Sequence, residues 1–558
     1  MKNRALPAPT YDFQHPATIW KSVFLLAVIA LVSVPGYLLA NQGTFEFDEP
    51  YQILNAYDYK NVGLAPLYSW FSHWYGGLVD WRWLAFRYLA ITSTVLAVAI
   101  GSFYYLFRSK KFVPVLIVAA CCAFFGTVFR FEYTMYGWDN PTVLLVTVLI
   151  IQLLEYFRSP APWKLTLIGI VSGACVLSRL PNIFVVPAIS FLLLFNKDKG
   201  ITRRDYAVCL ANYLCSSLIT IIIILILIYG SISGYLHVLI SDKVGSHGAI
   251  LLAVVVLKGI YILMKPMGVS WCCYQMTRIS FRKNRLLLIA VLIFTFLVSF
   301  GYLYYEYTPG IEHMYHYVNG LTILLAAAVM ARNRGSLQKG RRFGALTVIL
   351  LSCTPFVGSN TCLMKYLSYP AIPILMGLIG RDLTRPMKLF GSLNVIVLLV
   401  YSYWPIREES MFKPDMTSGI KLTGGVFEGM YSKPEMGEKI MTVYHDFLPY
   451  KEKDYNIIVL RDNVFYIWEY IFLARNEFIG SNFSYFDAYD KEEYAHWMEE
   501  KITNNPKPAA VLYMMHEGEK TDDDVSKTLM HRRLEQRLEK ATEGDGYIIY
   551  TTPGYNLR

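Results

Sequence analysis

Two adjacent carboxylates, Asp48 and Glu49, lie within the acidic and aromatic stretch TFEFDEPYQILNAYDYK, residues 44–60. Pro50 follows them directly. Because a proline disfavours helical geometry at the preceding residue and suits the first helical position, a helix is predicted to start at Pro50. The pair then lies at the helix N-terminus, where free N–H groups and the helix dipole favour ionised carboxylates. An ionised carboxylate that is held rigidly can act as a general base.

The same spacing also fits a structural role for the pair. In that alternative, Glu49 is the N-cap of the helix and Asp48 is a solvated loop charge. The predicted helix places Ile53, Leu54 and Tyr57 on its apolar face. The spacing alone leaves the catalytic and the structural interpretation open.

The composition is that of an integral membrane protein. Of 558 residues, 54% are hydrophobic, 15% aromatic and 17% charged, and the mean hydropathy is +0.35; a soluble globular chain of this length is less apolar. Residues 1–404 hold 33 Lys and Arg against 15 Asp and Glu, net +18, whereas residues 405–558 hold 19 against 27, net −8. The basic excess belongs to the membrane part, so a nucleic-acid partner loses its support.

Thirteen apolar runs are predicted to cross the membrane. They cover about residues 20–40, 88–107, 112–129, 141–157, 165–179, 182–196, 206–229, 249–264, 286–305, 319–331, 343–357, 367–381 and 389–404. Basic loops, among them 108–111, 197–205 and 278–285, alternate with loops poor in Lys and Arg. Placing the basic loops in the cytoplasm satisfies the positive-inside rule at every turn. The sequence therefore predicts a multi-pass protein of the inner membrane with a cytoplasmic N-terminus.

The predicted fold class is an α-helical polytopic membrane protein over residues 1–404, followed by a small extracytoplasmic α/β domain over residues 405–558. In the second part, strand-like runs at 455–460, 509–515 and 546–552 alternate with helical, charged stretches at 491–502 and 526–541. The first outer loop, residues 41–87, carries an apolar stripe that predicts a helix lying in the lipid headgroup layer. The stripe consists of Leu64, Leu67, Trp70, Phe71, Trp74, Tyr75 and Leu78.

Carboxylates segregate to the predicted outer side of the membrane. Ten of the 15 in the membrane part fall there: Glu46, Asp48, Glu49, Asp58, Asp80, Glu132, Asp139, Asp242, Glu306 and Glu312. We therefore expect the chemistry of this protein on the outer face.

The first outer loop resembles that of the GT-C glycosyltransferases, close to the lipid A aminoarabinose transferases and the protein O-mannosyltransferases. In those families an Asp-Glu pair follows the first span, and a stretch of the type PPLYYWL comes shortly after it. Here Asp48 and Glu49 match the pair, and APLYSWF at 65–71 matches the stretch. A second hallmark is an Asp in the outer loop after the third span, which Asp139 in RFEYTMYGWDNPT supplies.

Two basic positions fit the same resemblance. LSRLPNIFVVP resembles the LTRGP-type stretch at the outer end of the fifth span and supplies Arg179. MKYLSYPAIP resembles the late RYLLPALP stretch and supplies Lys365 and Tyr366, although lysine lacks the bidentate fork of the usual arginine. Either cation could instead snorkel to lipid headgroups. The resemblance covers roughly residues 20–404, and its specificity comes from the joint placement of the motifs.

The resemblance implies an inverting sugar transfer at the outer face from a polyprenyl-phosphate donor to a lipid, glycan or protein acceptor. Asp48 would be the base, and Arg179 and Lys365 would bind the leaving phosphate, with Tyr366 beside them and Arg130 and His316 as helpers. Asp139 and Glu49 would orient the acceptor or the base, or bind a divalent cation if one is used. The outer histidines lack the spacing of zinc ligands: His73, His237, His247, His313 and His316.

Two other function classes stay open. A transporter of lipid-linked sugars also has about a dozen spans. Such a protein would, however, carry polar residues in mid-span and often two halves of similar hydropathy, and neither feature is found in this sequence. A glycan polymerase or ligase concentrates basic residues in a large late outer loop, whereas the distinctive feature here is the acidic pair in the first loop. The donor sugar and the acceptor are not encoded in any motif of the sequence.

Overall fold

The computed structural model describes most of the chain, as 19 helices and six strands. The described residues are 16–43, 48–109, 112–128, 136–195, 203–241, 249–305, 311–332, 339–353, 384–401, 419–460, 467–474, 492–515, 520, 523 and 526–555. Contacts divide the chain into two compact units. The helical unit comprises Met1–Ala40, Arg87–Gly230 and His247–Lys413, and the mixed unit comprises Asn41–Phe86, Ser231–Ser246 and Pro414–Arg558.

The helical unit consists of long apolar helices, which we number along the whole chain. They are α1 (Pro16–Leu38), α4 (Trp83–Ser109, inside this unit from Arg87), α5 (Phe112–Val128), α6 (Asp139–Arg158), α7 (Pro162–Ser178), α8 (Val185–Phe195), α9 (Arg203–Tyr229), α11 (Ala249–Lys283), α12 (Arg285–Tyr305), α13 (Ile311–Arg332), α14 (Lys339–Cys353) and α15 (Arg385–Tyr401). Helices suit a lipid environment because each one satisfies its own backbone hydrogen bonds.

Five of the described helices are long and apolar enough to cross a membrane. They are Ile19–Leu38, Trp83–Arg108, Asp139–Arg158, Arg204–Tyr229 and Arg285–Tyr304. Twelve of the thirteen predicted apolar runs coincide with a helix, and the run at 367–381 lies outside the described residues. The chain is thus a mostly helical membrane protein, and the total of thirteen spans stays a prediction.

One predicted loop is wrong. The basic stretch 278–285 was expected to separate two helices, but α11 continues through it to Lys283, and only Asn284 separates α11 from α12. Lysine and arginine have good helix propensity, so charge by itself does not end a helix. Pro266 lies inside α11 and packs closely against α13, because a Cβ built on Gly320 of α13 would lie 3.2 Å from the Pro266 side chain.

Helices α7 and α9 form the most extensive helix pair of the unit. Gly169 and Gly173, one turn apart on α7, face α9 so closely that added Cβ atoms would lie 2.6 Å from Ser216 Cβ and 2.7 Å from the carbonyl oxygen of Ser217. Small residues at this spacing let two helix backbones approach each other within a membrane.

The mixed unit contains seven helices and six strands among its described residues. The helices are α2 (Asp48–Tyr57), α3 (Pro66–Leu78), α10 (Ile232–Ser241), α16 (Pro434–Glu452), α17 (Ile467–Phe472), α18 (Glu492–Thr503) and α19 (Leu529–Arg537). Strands β1 (Ile420–Lys421) and β2 (Tyr431–Ser432) pair antiparallel. A four-stranded sheet has the order β3 (Asn456–Leu460), β4 (Ala509–Met514), β6 (Tyr547–Thr551), β5 (Glu539–Gly544).

The sheet confirms the α/β prediction for the C-terminal part. Strands β3 and β4 are parallel, whereas β6 is antiparallel to both of its neighbours. The expected helix over 526–541 is too long, because α19 ends at Arg537 and β5 begins at Glu539. The residues of β5, EKATEG, are polar, and pairing with the fully buried β6 overrides their weak strand propensity.

Helix α3 exposes part of the apolar stripe that the sequence predicted, whereas Leu64, which precedes the helix, Leu67 and Tyr75 are half-buried. Trp70, Phe71, Trp74 and Leu78 are exposed, while the opposite face buries its small and polar residues, including Ser69 and Ser72. This is the reverse of the pattern in a soluble protein, where the apolar face is the buried one. The exposed stripe fits a helix in the headgroup layer, and that location stays a prediction.

We predict that Gly173→Ala destabilises the helical unit. The new methyl group would overlap the α9 backbone, and overpacking of this kind costs about 1–3 kcal/mol. Gly301→Ala in α12 is the matched control, because a Cβ there meets no atom within 4 Å. Thermal unfolding in detergent should show a lower Tm for Gly173→Ala only; equal Tm values for the two variants would contradict the close packing of α7 on α9.

Candidate functional site

The predicted site residues fall into three groups. Asp139 and Arg179 lie in the helical unit and are described in full, and Glu49 is described in the mixed unit. Asp48 begins α2 and His316 lies in α13, but their side chains are outside the described part of the structure. Arg130, Lys365 and Tyr366 lie outside the described residues altogether.

Asp139 is the first residue of α6. Its carboxylate lies where the helix dipole favours negative charge. The turn before it is fixed by Asn140, whose Oδ1 accepts a hydrogen bond from the backbone N–H of Gly137 at 2.7 Å. Pro141 is accommodated because a proline in the first turn removes no intrahelical hydrogen bond.

Arg179 follows the last residue of α7 and has an extended backbone (φ −163°, ψ 127°). The α-helix ends here because Pro181 has no N–H to continue its hydrogen bonds. A 3₁₀ turn, Leu180–Phe184, then leads into α8, which therefore starts later than the predicted residue 182. Arg179 therefore lies at the end of the fifth predicted span.

The structure brings Asp139 and Arg179 together. Arg179 Nη1 donates a hydrogen bond to Asp139 Oδ1 at 3.1 Å, and the guanidinium lies 5.4 Å from the ring centroid of Trp138. Both charged side chains are largely buried, with exposed fractions of 11% for Arg179 and 21% for Asp139. An arginine held between a carboxylate and an aromatic face keeps its planar fork oriented, and that geometry suits a phosphate ligand.

A buried polar network lies beside this ion pair. Thr142, Ser178 and Asn182 are fully buried, and the Thr142 and Ser178 hydroxyl oxygens are 2.9 Å apart. Asn182 Nδ2 is 3.1 Å from each of those oxygens and donates to the carbonyl oxygen of Cys175 at 2.8 Å. Sequence reasoning missed these three residues, although Thr142 lies close to Asp139 in DNPT and Ser178 and Asn182 flank Arg179 in SRLPN.

In the mixed unit, the acidic pair belongs to the first turn of α2. The helix begins at Asp48, two residues earlier than predicted, so Glu49 lies inside the first turn and not at the N-cap. The Glu49 side chain is completely buried, as are those of Ile53 and Leu54. A fully buried carboxylate needs hydrogen-bond partners. Tyr57, predicted on the apolar face, is instead exposed and meets the edge of Trp81.

Helix α2 packs against α3 and α17, both in the mixed unit. At the end of α3, Asp80 and Trp81 both have left-handed backbone angles, with φ of 52° and 58°. The turn is closed by a hydrogen bond from Arg82 N to the carbonyl oxygen of Val79 at 3.1 Å. Two consecutive left-handed residues without glycine cost about 1–3 kcal/mol each.

Three contacts hold this turn in place. The Tyr470 hydroxyl of α17 donates to the carbonyl oxygen of Trp81 at 2.7 Å. Gly76 leaves room for the Trp81 ring, which an added Cβ would approach to 2.5 Å. The Tyr75 hydroxyl donates to the carbonyl oxygen of Ala85 at 2.9 Å, and burial raises the pKa of Tyr75, so this donor stays protonated at neutral pH. The C-terminal part of the chain therefore restrains the loop that carries Asp48 and Glu49.

The described residues contain a paired arginine in the helical unit and a buried glutamate in the mixed unit, but no assembled metal centre. No group of three or more His, Cys, Asp or Glu side chains there is placed to hold a metal ion. The His73 ring has Nδ1 3.0 Å from the carbonyl oxygen of Tyr57 and packs at 44° against Tyr59, so it has a structural role at the end of α2.

Comparison with known proteins gives one solved structure to report. No protein-family model matches the chain, and no curated protein matches it. Among the solved structures that match is the oligosaccharyltransferase of Archaeoglobus fulgidus in complex with zinc and sulfate. It is 15% identical, with a TM-score of 0.47, over 87% of this chain and 67% of that chain. A likeness of this strength does not bear on activity or substrate.

We predict that Tyr470→Phe loosens the turn at residues 79–82. The change leaves the Trp81 carbonyl without its donor, and a lost hydrogen bond of this kind costs about 0.5–1.5 kcal/mol. Hydrogen–deuterium exchange should rise in peptides spanning 76–86. Tyr455→Phe is the control, because the Tyr455 hydroxyl also donates to a main-chain oxygen, that of Tyr555, at 2.6 Å. The restraint is refuted if exchange at 76–86 is the same in both variants.

Proposed function

We propose that this protein is an integral membrane glycosyltransferase of the GT-C type that uses a polyprenyl-phosphate sugar on the outer face of the membrane. The observation that carries the proposal is Arg179, a largely buried guanidinium at the end of an apolar helix. Its guanidinium is oriented by Asp139 and by the face of Trp138, and an oriented arginine fork suits a lipid phosphate, an anion that approaches from the membrane. The sequence resemblance of the first outer loop, of Asp139 and of Arg179 supports the same proposal.

The proposed reaction is a single in-line displacement. Asp48 takes the proton of an acceptor hydroxyl, and the hydroxyl oxygen attacks the anomeric carbon of the donor sugar. The bond between that carbon and the phosphate oxygen breaks, its electron pair leaves with polyprenyl phosphate, and the anomeric configuration inverts. The proton passes from Asp48 to water after the product departs.

Each proposed residue has a role that follows from its charge. The departing phosphate gains negative charge as the bond breaks, so a fixed cation stabilises the transition state more than the ground state. Arg179 has this role, with Lys365, Tyr366, Arg130 and His316 as further phosphate ligands carried over from the sequence resemblance. In the resting protein, Asp139 neutralises Arg179 at 3.1 Å. Phosphate binding then adds a second anion to a guanidinium that has five donor hydrogens.

Glu49 is proposed to support the base rather than to replace it. It is fully buried, so it cannot meet a soluble acceptor without rearrangement. Asp48 precedes it at the N-terminus of α2, where the helix dipole keeps a carboxylate ionised. A divalent cation near the acidic residues is compatible with this scheme, and the acceptor is a lipid, glycan or protein hydroxyl. The proposed location is the inner membrane, with residues from 405 onward outside the cytoplasm.

We predict that Asp48→Asn lowers kcat by at least about 100-fold, because general-base catalysis contributes about 10²–10⁴-fold. The assay is release of polyprenyl phosphate from a panel of radiolabelled polyprenyl-phosphate sugars, with purified protein in detergent and membrane lipids as acceptor. Donor binding, measured by thermal stabilisation, should be retained.

Asp58→Asn is the matched control in the same loop. Both Asp58 oxygens accept from Asn61 Nδ2 at 3.0 Å, a contact that an asparagine partly preserves. Equal turnover of wild type and Asp48→Asn would move the base to Asp139 or Glu49. No release from any donor by wild type would argue against the transferase and favour a polymerase, a ligase or a transporter of lipid-linked sugars.

We predict that Arg179→Lys lowers kcat by about 10–100-fold with a smaller effect on the donor KM, because the charge remains but the oriented fork is lost. Arg108→Lys is the control, since Arg108 forms the other buried arginine–carboxylate pair of the described helical unit, with Glu155. That change should lower thermal stability without a comparable fall in kcat. If the two variants lose the same activity, Arg179 has no special role in the reaction.

A further inference from the structure

The hydrogen bonds beside Arg179 connect the two chain segments that carry the ion pair. Thr142 Oγ1 donates to the carbonyl oxygen of Trp138 at 2.9 Å, directly before Asp139. Ser178, directly before Arg179, has its Oγ 2.8 Å from the carbonyl oxygen of Cys175. The 2.9 Å contact between the two hydroxyl oxygens therefore links the start of α6 to the end of α7.

Asn182 completes this link from the other side of Arg179. Its backbone N–H donates to the carbonyl oxygen of Arg179 at 2.9 Å. Its side-chain Nδ2 lies within 3.1 Å of Thr142 Oγ1, Ser178 Oγ and the carbonyl oxygen of Cys175. Arg179 is thereby enclosed between two hydrogen-bonded neighbours, Ser178 before it and Asn182 after it.

The short contact to the Cys175 carbonyl sets the orientation of the Asn182 amide, whose Nδ2 donates there at 2.8 Å. With Thr142 donating to the Trp138 carbonyl, Ser178 Oγ donates across the 2.9 Å contact to Thr142 Oγ1, and the second amide hydrogen of Asn182 goes to a hydroxyl oxygen at 3.1 Å. A reversed amide would place its oxygen against the carbonyl oxygen of Cys175, and two acceptors repel each other. The three side chains are therefore bonded to one another and to the main chain, whereas Asn182 Oδ1 has no hydrogen-bond partner among the described residues.

We propose that Thr142, Ser178 and Asn182 are positioning residues, which hold Arg179 in the place where it meets the donor phosphate. The role as a phosphate ligand rests on the proposed function, whereas the positioning itself does not. A rigid network matters because an electrostatic group stabilises a transition state only if it is already oriented when the charge develops. Three fully buried polar side chains, bonded to one another and to the main chain on both sides of Arg179, fix the position of its backbone.

Thr142→Val tests this inference, because valine has nearly the same shape as threonine but lacks the hydroxyl. Thr147→Val is the matched control: Thr147 is also fully buried on α6 and also donates to the carbonyl four residues back, at 2.8 Å, but it has no part in the network. Thr142→Ser keeps the hydroxyl and should restore wild-type behaviour. Ser178→Ala removes the same link from α7 and serves if Thr142→Val does not fold.

The first readout does not depend on turnover. Phenylglyoxal reacts with accessible guanidinium groups, and mass spectrometry measures the labelling of Arg179 in detergent. Labelling should be about threefold faster in Thr142→Val, because the Arg179 side chain is then no longer held in one orientation. Thr147→Val and Thr142→Ser should label at the wild-type rate. Equal labelling in Thr142→Val and Thr147→Val would overturn the positioning role, whether or not the protein transfers sugars.

The second readout is the division of the effect between kcat and KM. Release of polyprenyl phosphate should show a fall in kcat of about tenfold in Thr142→Val with less than about threefold change in the donor KM. A change equal to that of Thr147→Val would reject the inference while leaving the proposed function intact. If wild type releases no polyprenyl phosphate, the proposed function fails and the labelling experiment alone decides the positioning role.

Discussion

Hydrocarbon provides no hydrogen-bond partners, and this constraint shapes most of the helical unit. It requires backbone groups to be paired within each helix. It also means that polar side chains there bond to the nearest backbone oxygen, as Thr147 does with Val143. Where polar groups meet across helices, as Thr142, Ser178 and Asn182 do, their partners are each other. The polar network is therefore part of the fold, and it lies on both sides of Arg179 in the chain, at Ser178 and Asn182.

The mixed unit buries its side chains in a different pattern from the helical unit. Its sheet buries two strands completely, β4 and β6, in the manner of a soluble α/β protein. Its loop segment, residues 41–86, instead directs aromatic side chains outward along α3 and folds its small polar residues inward. One compact unit thus combines a water-soluble core with a face suited to lipid. The strained turn at Asp80 and Trp81 lies between these two environments and is stabilised by the contact from α17.

The sequence predicted the features that depend on local chemistry. Apolar runs predicted most of the helices, strand-like runs predicted β3, β4 and β6, and Pro50 predicted the start of α2 to within two residues. It failed where tertiary contacts decide. β5 is polar and becomes a strand through its pairing with β6, whereas the basic stretch at the end of α11 stays helical because Lys and Arg have good helix propensity.

The candidate site shows the same division. Asp139 and Arg179 could be named from their motifs, but their contact across 40 residues of chain could not. The sequence did not single out Thr142 and Asn182, because a threonine or an asparagine near a helix end is usually a cap or a turn residue. Their role follows only from the closeness of α6 and α7. The residues that resemblance assigned to the late part of the membrane region, Lys365 and Tyr366, stay predictions.

The hydrogen bond between Tyr470 and Trp81 depends on the side chain of only one of the two residues. The tyrosine supplies a side chain, but the acceptor is a main-chain oxygen that every amino acid possesses. Substitution of residue 81 in evolution therefore leaves this hydrogen bond in place, whereas substitution of residue 470 removes it. Co-variation between the two positions would stay weak even though they touch. A chimera that exchanged the C-terminal segment between relatives would transfer the bond whole, without any matching change in the recipient loop.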